Sequence, residues 1–213
     1  MAYKVKEIFL TSQGEGMNMG RTAVFLRFSG CNLWSGREKD RATAICKFCD
    51  TDFVGGVTYK NCDTLADKME NVWGLGLTNR FCVITGGEPL LQLDGALIDA
   101  LHERNFEIAV ETNGTIKAPY GGPLTGPRKI DWICVSPKQG TELALTHADE
   151  LKIVFPQGGL DPADFLHFNA THRWLSPMDN AHRSENTRVS AEYCKKHPEW
   201  RLAIQAHKTW SIP

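Results

Sequence analysis

The run Thr22-Ala-Val-Phe-Leu-Arg-Phe28 passes directly into Ser29-Gly30-Cys31, and after a charged stretch the chain reads Cys46-Lys-Phe-Cys49-Asp50-Thr51-Asp52-Phe53. The first run has the apolar, aromatic and alternating character of a strand, with Arg27 on the face opposite Phe28. Strand-like runs recur at Phe81–Thr85, Glu107–Val110, Asp131–Val135, Leu151–Phe155, Arg173–Leu175 and Arg201–Ile204. Helical patterns fall between several of them, at Asp63–Val72, Gln92–Arg104, Asp161–Phe168 and Asn186–His197. Strands alternating with helices predict an α/β fold with a parallel sheet built from right-handed crossovers. After residue 105 several connections are too short for a full helix. The expected architecture is therefore an incomplete, TIM-like barrel of mostly parallel strands, one domain spanning residues 1–213.

Composition narrows the partners. Lys plus Arg number 24 against 25 Asp plus Glu, so charge gives no reason to expect nucleic acid or an anionic membrane. No apolar stretch approaches the ~20 residues of a membrane span. The start, Met-Ala-Tyr-Lys-Val-Lys-Glu, lacks the layout of a secretory signal, and a cytoplasmic protein is expected. There are 7 cysteines, for which free thiols are the default in a reducing compartment. Cys82 and Cys134 lie in apolar strand-like runs and read as small buried hydrophobes. Cys194 sits in a helical pattern without a partner, and Cys62 opens another helix. Only Cys31, Cys46 and Cys49 have ligand-like spacing.

Three thiolates do not complete a [4Fe–4S] cluster, which normally takes four cysteines. A cluster held by three leaves one iron free for a small molecule, unless Cys62 supplies the fourth ligand. The other reading is zinc, since C-x2-C pairs are common zinc ligands. A zinc site needs a second pair, and none follows at a suitable distance; His102 and His147 are isolated. Other distinctive residues also fall just after strands, at Gly86-Gly87-Glu88-Pro89, Glu111-Thr-Asn-Gly114, Ser136-Pro-Lys138 and Ser176-Pro-Met-Asp179. In parallel sheets and barrels that edge binds ligands, and these loops face one another only if the sheet curves.

Each motif also has a plain structural reading. Gly86-Gly87 suits an ordinary turn as well as a backbone that must approach a ligand closely. Asp50 and Thr51 are turn-capping types, and Asn113-Gly114 is a turn dipeptide. Arg27 suits a surface charge on an edge strand. Ser35–Arg41 is highly charged and reads as a solvated insertion, harmless to ligation if its ends are close. The histidines give no separate signal, and His207 is assigned no role.

Together, the three cysteines and Thr85-Gly-Gly-Glu-Pro89 resemble the radical S-adenosylmethionine enzymes, although Cys31-x14-Cys46-x2-Cys49 is longer than their commonest spacing. Gln13-Gly-Glu-Gly16, Arg27-Phe-Ser-Gly-Cys31-Asn-Leu33, Cys49-Asp-Thr51 and Gln205-Ala-His-Lys208…Pro213 make nearly the whole chain similar to the 7-carboxy-7-deazaguanine synthase family. That family makes the deazapurine precursor of queuosine. The resemblance implies a radical S-adenosylmethionine domain that converts 6-carboxy-5,6,7,8-tetrahydropterin to 7-carboxy-7-deazaguanine, with hydrogen removed from C6 and ammonia lost. It implies that Cys31, Cys46 and Cys49 hold the cluster and that Thr51 ligates Mg²⁺. Arg27 would grip the substrate carboxylate, with Ser12, Gln13, Gly14, Thr85 and Pro213 around the pterin. Phe48, Asp50, Gly87, Glu88, Glu111, Asn113, Ser136, Pro137, Lys138, Ser176, Pro177, Met178 and Asp179 would contact S-adenosylmethionine; Ser176 stands where the family usually has Gln. An electron donor such as flavodoxin or ferredoxin, and a homodimer, are implied in the same way. Two other functions fit parts of the pattern: a glycyl-radical-enzyme activase and a zinc-stabilised binding module.

Overall fold

The computed structural model describes residues 1–119 and 129–213. The chain opens with β1 (Tyr3–Ser12), β2 (Thr22–Phe28) and β3 (Val57–Tyr59), followed by α1 (Cys62–Trp73). Next come β4 (Phe81–Gly86), α2 (Gly95–Glu103), β5 (Glu107–Thr112), β6 (Trp132–Val135), β7 (His147–Phe155) and β8 (Asn169–Pro177). Finally α3 (Arg183–Lys196), β9 (Arg201–Leu202) and α4 (Ala206–Trp210) close the series. One sheet runs β3-β1-β2-β4-β5-β6-β7-β8-β9. From β2 to β9 every neighbouring pair is parallel, whereas β1 lies antiparallel between β2 and β3.

The seven expected strands are present, and β1 and β3 are additional. Lys4, Lys6 and Glu7 interrupt the apolar pattern of β1, whose Tyr3 and Val5 alone are buried. Of the expected helix at Asp161–Phe168, only a short 3-10 turn over Pro162–Phe165 forms. Asp161 caps it through Ala163 N–H at 2.9 Å, and the chain then enters β8 directly. The helix expected from Gln92 begins at Gly95, because the Asp94 side chain accepts from Leu97 N–H at 3.0 Å. The same Asp94 oxygen accepts from Tyr3 O–H at 2.7 Å, fastening α2 to β1.

Strand alternation splits the sheet into two faces with different jobs. Val24, Leu26 and Phe28 of β2 pack with Ile84, Ile108, Val110, Ile133, Val135, Leu151, Ile153 and Leu175 in the main core, beneath residues of α1 and α2. On the opposite face Ala23, Phe81, Val83 and Ala109 form a smaller apolar plug with Phe25 and Trp132. Continuing along that face toward the strand C-termini, the residues become Arg27, Thr85, Glu111, Lys152 and Ser176. The inner face is thus sealed at one end and polar at the other.

Curvature follows from one interaction. Glu15 lies in the β1–β2 loop and Lys152 on β7, four strand steps along the sheet from β2. At about 4.8 Å per step, a flat sheet would separate them by roughly 19 Å. The Lys152 Nζ is 2.5 Å from Glu15 Oε2 and 2.8 Å from Glu111 Oε2, so the sheet must curl. Burial penalises Glu15's charge, but Lys152 more than offsets this and holds the carboxyl down from 4.5 to about 2. Lys152 too is buried against its charge, yet Cys134, Glu111 and Glu15 keep it well above its ordinary value.

Lys152→Met should therefore destabilise the protein at neutral pH by about 3–5 kcal/mol, the usual result of orphaning a buried ion-pair partner. Glu15's depressed pKa contributes stability present above its unfolded value of 4.5 and lost as pH falls toward about 2. The gap between parent and variant, measured by urea unfolding across that interval, should accordingly close on acidification.

Candidate active site

A cavity of about 520 Å³ opens at the C-terminal ends of the parallel strands. Cys31, Cys46 and Cys49 line it together with Arg27, Thr85, Glu111, Lys138, Lys152 and Ser176. The expected convergence of post-strand loops is therefore present.

The cysteine loop explains how a long spacing still brings three thiols to one place. Leu33 C=O accepts from both Ile45 N–H at 3.1 Å and Cys46 N–H at 3.3 Å, pinching shut the ends of the inserted segment. Gly87 lies against this loop: a Cβ built there would meet Gly30 O at 2.3 Å and Cys31 Cβ at 2.6 Å. A Gly-Gly turn alone does not require that contact; close approach of the two loops does. Glu88 N–H also donates to Gly30 C=O at 3.0 Å.

The thiols interact with one another. A hydrogen bond between them pushes the Cys46 thiol up and draws Cys49 down to about 6, and Thr51 supplies both its N–H and its O–H to the Cys49 sulfur. Burial raises Cys31. Among the described residues, no three His, Cys, Asp or Glu could together hold a single metal ion. A cubane cluster is gripped differently, each thiolate on its own iron at a separate corner, and three free thiols around one cavity fit that pattern. Cys62 and Cys194 pack against the main core instead, while Cys82 and Cys134 are buried within strands.

Of the residues expected around the two small molecules, nearly all line the cavity, among them Ser12, Gln13, Gly14 and Pro213, Phe48, Asp50, Thr51, Gly87 and Asn113, and Ser136, Pro177, Met178 and Asp179. Glu88 and Pro137 do not. The Glu88 carboxylate is 0% exposed and accepts from Leu90 N–H at 2.9 Å, Thr112 O–H at 2.7 Å and Asn113 N–H at 2.8 Å. It binds the β4 loop to the end of β5, and its burial raises its pKa. Arg27 faces the cavity with Nε on Glu7 at 2.7 Å. Lys138 Nζ donates to Ser136 O at 2.6 Å and to its Oγ at 2.8 Å.

Several important residues escape sequence reasoning. Lys152 was the most visible, a single cation within the apolar run Leu151-Lys-Ile-Val-Phe155. Glu15 hides inside a glycine turn. The C-terminal segment gave no periodic signal, yet it closes one wall. Ala206 N–H donates to Gly14 C=O at 2.9 Å, and the Gln205 side-chain amide donates to Glu15 at 2.9 Å. The His207 ring sits where a Cβ on Gly14 would meet Nδ1 at 2.4 Å. Lys208 reaches Asp50 at 3.2 Å and pairs with Asp179, so both aspartates already have a cationic partner. Thr11 O–H donates to Pro213 O at 3.1 Å.

No protein-family model matches the chain. Among curated relatives, a 7-carboxy-7-deazaguanine synthase from Bradyrhizobium diazoefficiens is 54% identical, with 100% of each chain covered. Enzymes of the same name from Caulobacter vibrioides and Burkholderia multivorans are 52% and 50% identical, again with 100% of each chain covered. The crystal structure of QueE from Escherichia coli superposes with a TM-score of 0.68 at 26% identity, covering 97% of this chain and 95% of that one. The sequence thus belongs to the 7-carboxy-7-deazaguanine synthase family of radical S-adenosylmethionine enzymes.

Proposed function

We propose that this chain is a carbon–nitrogen lyase that converts 6-carboxy-5,6,7,8-tetrahydropterin to 7-carboxy-7-deazaguanine with release of ammonia, a step toward queuosine. The observation that carries this reading is the meeting of three free thiols with a buried ionic network in one cavity of small-molecule size. A glycyl-radical activase, acting on a protein backbone, would need an open groove where the C-terminal segment here makes a wall. The three-thiol geometry does not favour a zinc module.

Cys31, Cys46 and Cys49 would hold a [4Fe–4S] cluster. Bound there with S-adenosylmethionine, it would supply the one-electron radical chemistry needed to remove a hydrogen atom that no side-chain base can take. The chain's residues provide placement. Gly87 lets the β4 loop rest against the cysteine loop, and the Glu111 carboxylate, 2.8 Å from Lys152 Nζ, offers an acceptor to ribose hydroxyls. Asn113, Ser136 and Lys138 surround the same ligand. On the other side Arg27 would exchange Glu7 for the substrate carboxylate, and Ser12, Gln13, Gly14, Thr85 and Pro213 would frame the pterin. Fixing C6 of the substrate beside the cofactor's ribose makes hydrogen transfer effectively intramolecular.

Thr51 would contribute one hydroxyl to a Mg²⁺ whose remaining ligands are substrate and water, a coordination this ion favours. A flavodoxin or ferredoxin as electron donor, a homodimer and a cytoplasmic setting complete the reading. Among the described residues no helix is long and apolar enough to cross a membrane.

The deciding experiment is an anaerobic assay of the reconstituted protein with the carboxytetrahydropterin, S-adenosylmethionine and a chemical reductant. Deazaguanine product is expected, and its absence would sink the assignment. Cys46→Ala should lose both cluster absorbance and S-adenosylmethionine cleavage. Arg27→Lys should raise KM roughly tenfold, since an ammonium cannot reproduce two parallel hydrogen bonds to a carboxylate. Thr51→Ala should keep the cluster while its turnover loses most of the response to added Mg²⁺; equal Mg²⁺ titrations for variant and parent would remove the metal from the scheme.

A further inference from the structure

The segment between Leu33 and Cys46 is solvated, as its charge suggests, and it is also folded. Glu38–Thr43 form a 3-10 turn, and from it Arg41 points back at the cysteine loop. Its Nη1 donates to the carbonyls of Lys47 at 2.9 Å and Cys49 at 3.1 Å. The guanidinium is aimed from two further sides: its carbon lies 4.1 Å over the Trp34 ring, and its Nε is held by both Glu38 oxygens at 2.9 and 2.8 Å. Trp34 is in turn fixed, edge-on to Phe53 with ring centres 5.6 Å apart and Nε1 donating to Arg37 C=O at 3.2 Å.

Both carbonyls belong to the Cys46–Cys49 loop, and the second is that of a ligand residue itself. Arg41 thus ties the backbone of this loop to the inserted segment. Nearby charge is among the factors that set iron–sulfur potentials. We propose that Arg41 is a positioning residue for the cluster: by gripping the Lys47 and Cys49 carbonyls it fixes the loop that carries two of the three thiolates, retains the cluster and, as a nearby cation, raises its reduction potential.

This rests on the cluster assignment above, and the test separates the two. Parent, Arg41→Gln and Arg41→Lys are reconstituted anaerobically and compared for iron release to a chelator and for midpoint potential by EPR-monitored redox titration. Melting of the apo-proteins checks the fold. A parent that takes up no cluster would sink the assignment itself. With a loaded parent, Arg41→Gln should lose iron roughly tenfold faster, the equivalent of one hydrogen bond to a charged group. Its potential should also be more negative. Arg41→Lys, which keeps a cation and donors near the same carbonyls, should fall between. Parental iron release or a parental potential in Arg41→Gln would overturn the proposal. If that variant does not fold, Arg41→Lys is judged on the same two readings, and parental values there overturn it equally.

Discussion

The buried triad of Glu15, Lys152 and Glu111 is the constraint on which the site depends. It joins a loop at the antiparallel end of the sheet to strands in the parallel part, and it forms only if the sheet curls. Two carboxylates around one ammonium are costly to bury, and the arrangement is tolerable because other groups share the load. Gln205 donates to Glu15, while Gln13 approaches Glu111 at 3.4 Å. A network of this kind is sensitive to each member, since every unsatisfied charge in low dielectric is expensive. That sensitivity is useful at a catalytic cavity, where positions must be fixed before the ligand arrives.

The cysteine loop solves a different problem with backbone alone. Cluster ligation requires Cys31 and Cys46 to be neighbours in space, whatever their separation in sequence. A pair of hydrogen bonds to Leu33 C=O meets that requirement and leaves the intervening residues free to take on other work. Glycines on the facing loop make the second contribution: with no Cβ at residue 87, the β4 loop can rest against Cys31 itself. The cysteine and glycine motifs are therefore one packed unit, braced from below by Glu88.

The sequence was most legible where chemistry and periodicity coincide. The parallel strands were visible because both faces of each carry a regular pattern, and the cysteines because their spacing is rare. Nearly every residue carried over by resemblance lines the cavity, but that resemblance did not distinguish contact from support. Glu88 shows the difference: its motif predicted a ligand contact, while its carboxylate is consumed by two backbone N–H groups and a threonine. β1 was missed because lysines and a glutamate break its alternation, a pattern an antiparallel strand near the sheet edge can tolerate. Asp161–Phe168 had helical periodicity, but proximity to β8 left room for only one turn.

The C-terminal residues show why local reading falls short in principle. Residues 205–213 fold locally only as far as the short α4, and their placement comes from distant partners: Gly14 and Glu15 in one loop, Asp50 beside the cysteines, Asp179 after β8, and Thr11 on β1. The tethers attach to several parts of the cavity rim, so the position of the segment depends on the curl of the barrel and on the pinch of the cysteine loop. Lys208 makes the dependence explicit, because its two aspartates belong to loops that approach each other only in the curved sheet. Wall and barrel are consequently coupled: whatever straightens the sheet also separates Asp50 from Asp179 and removes the footing of the chain's last residues.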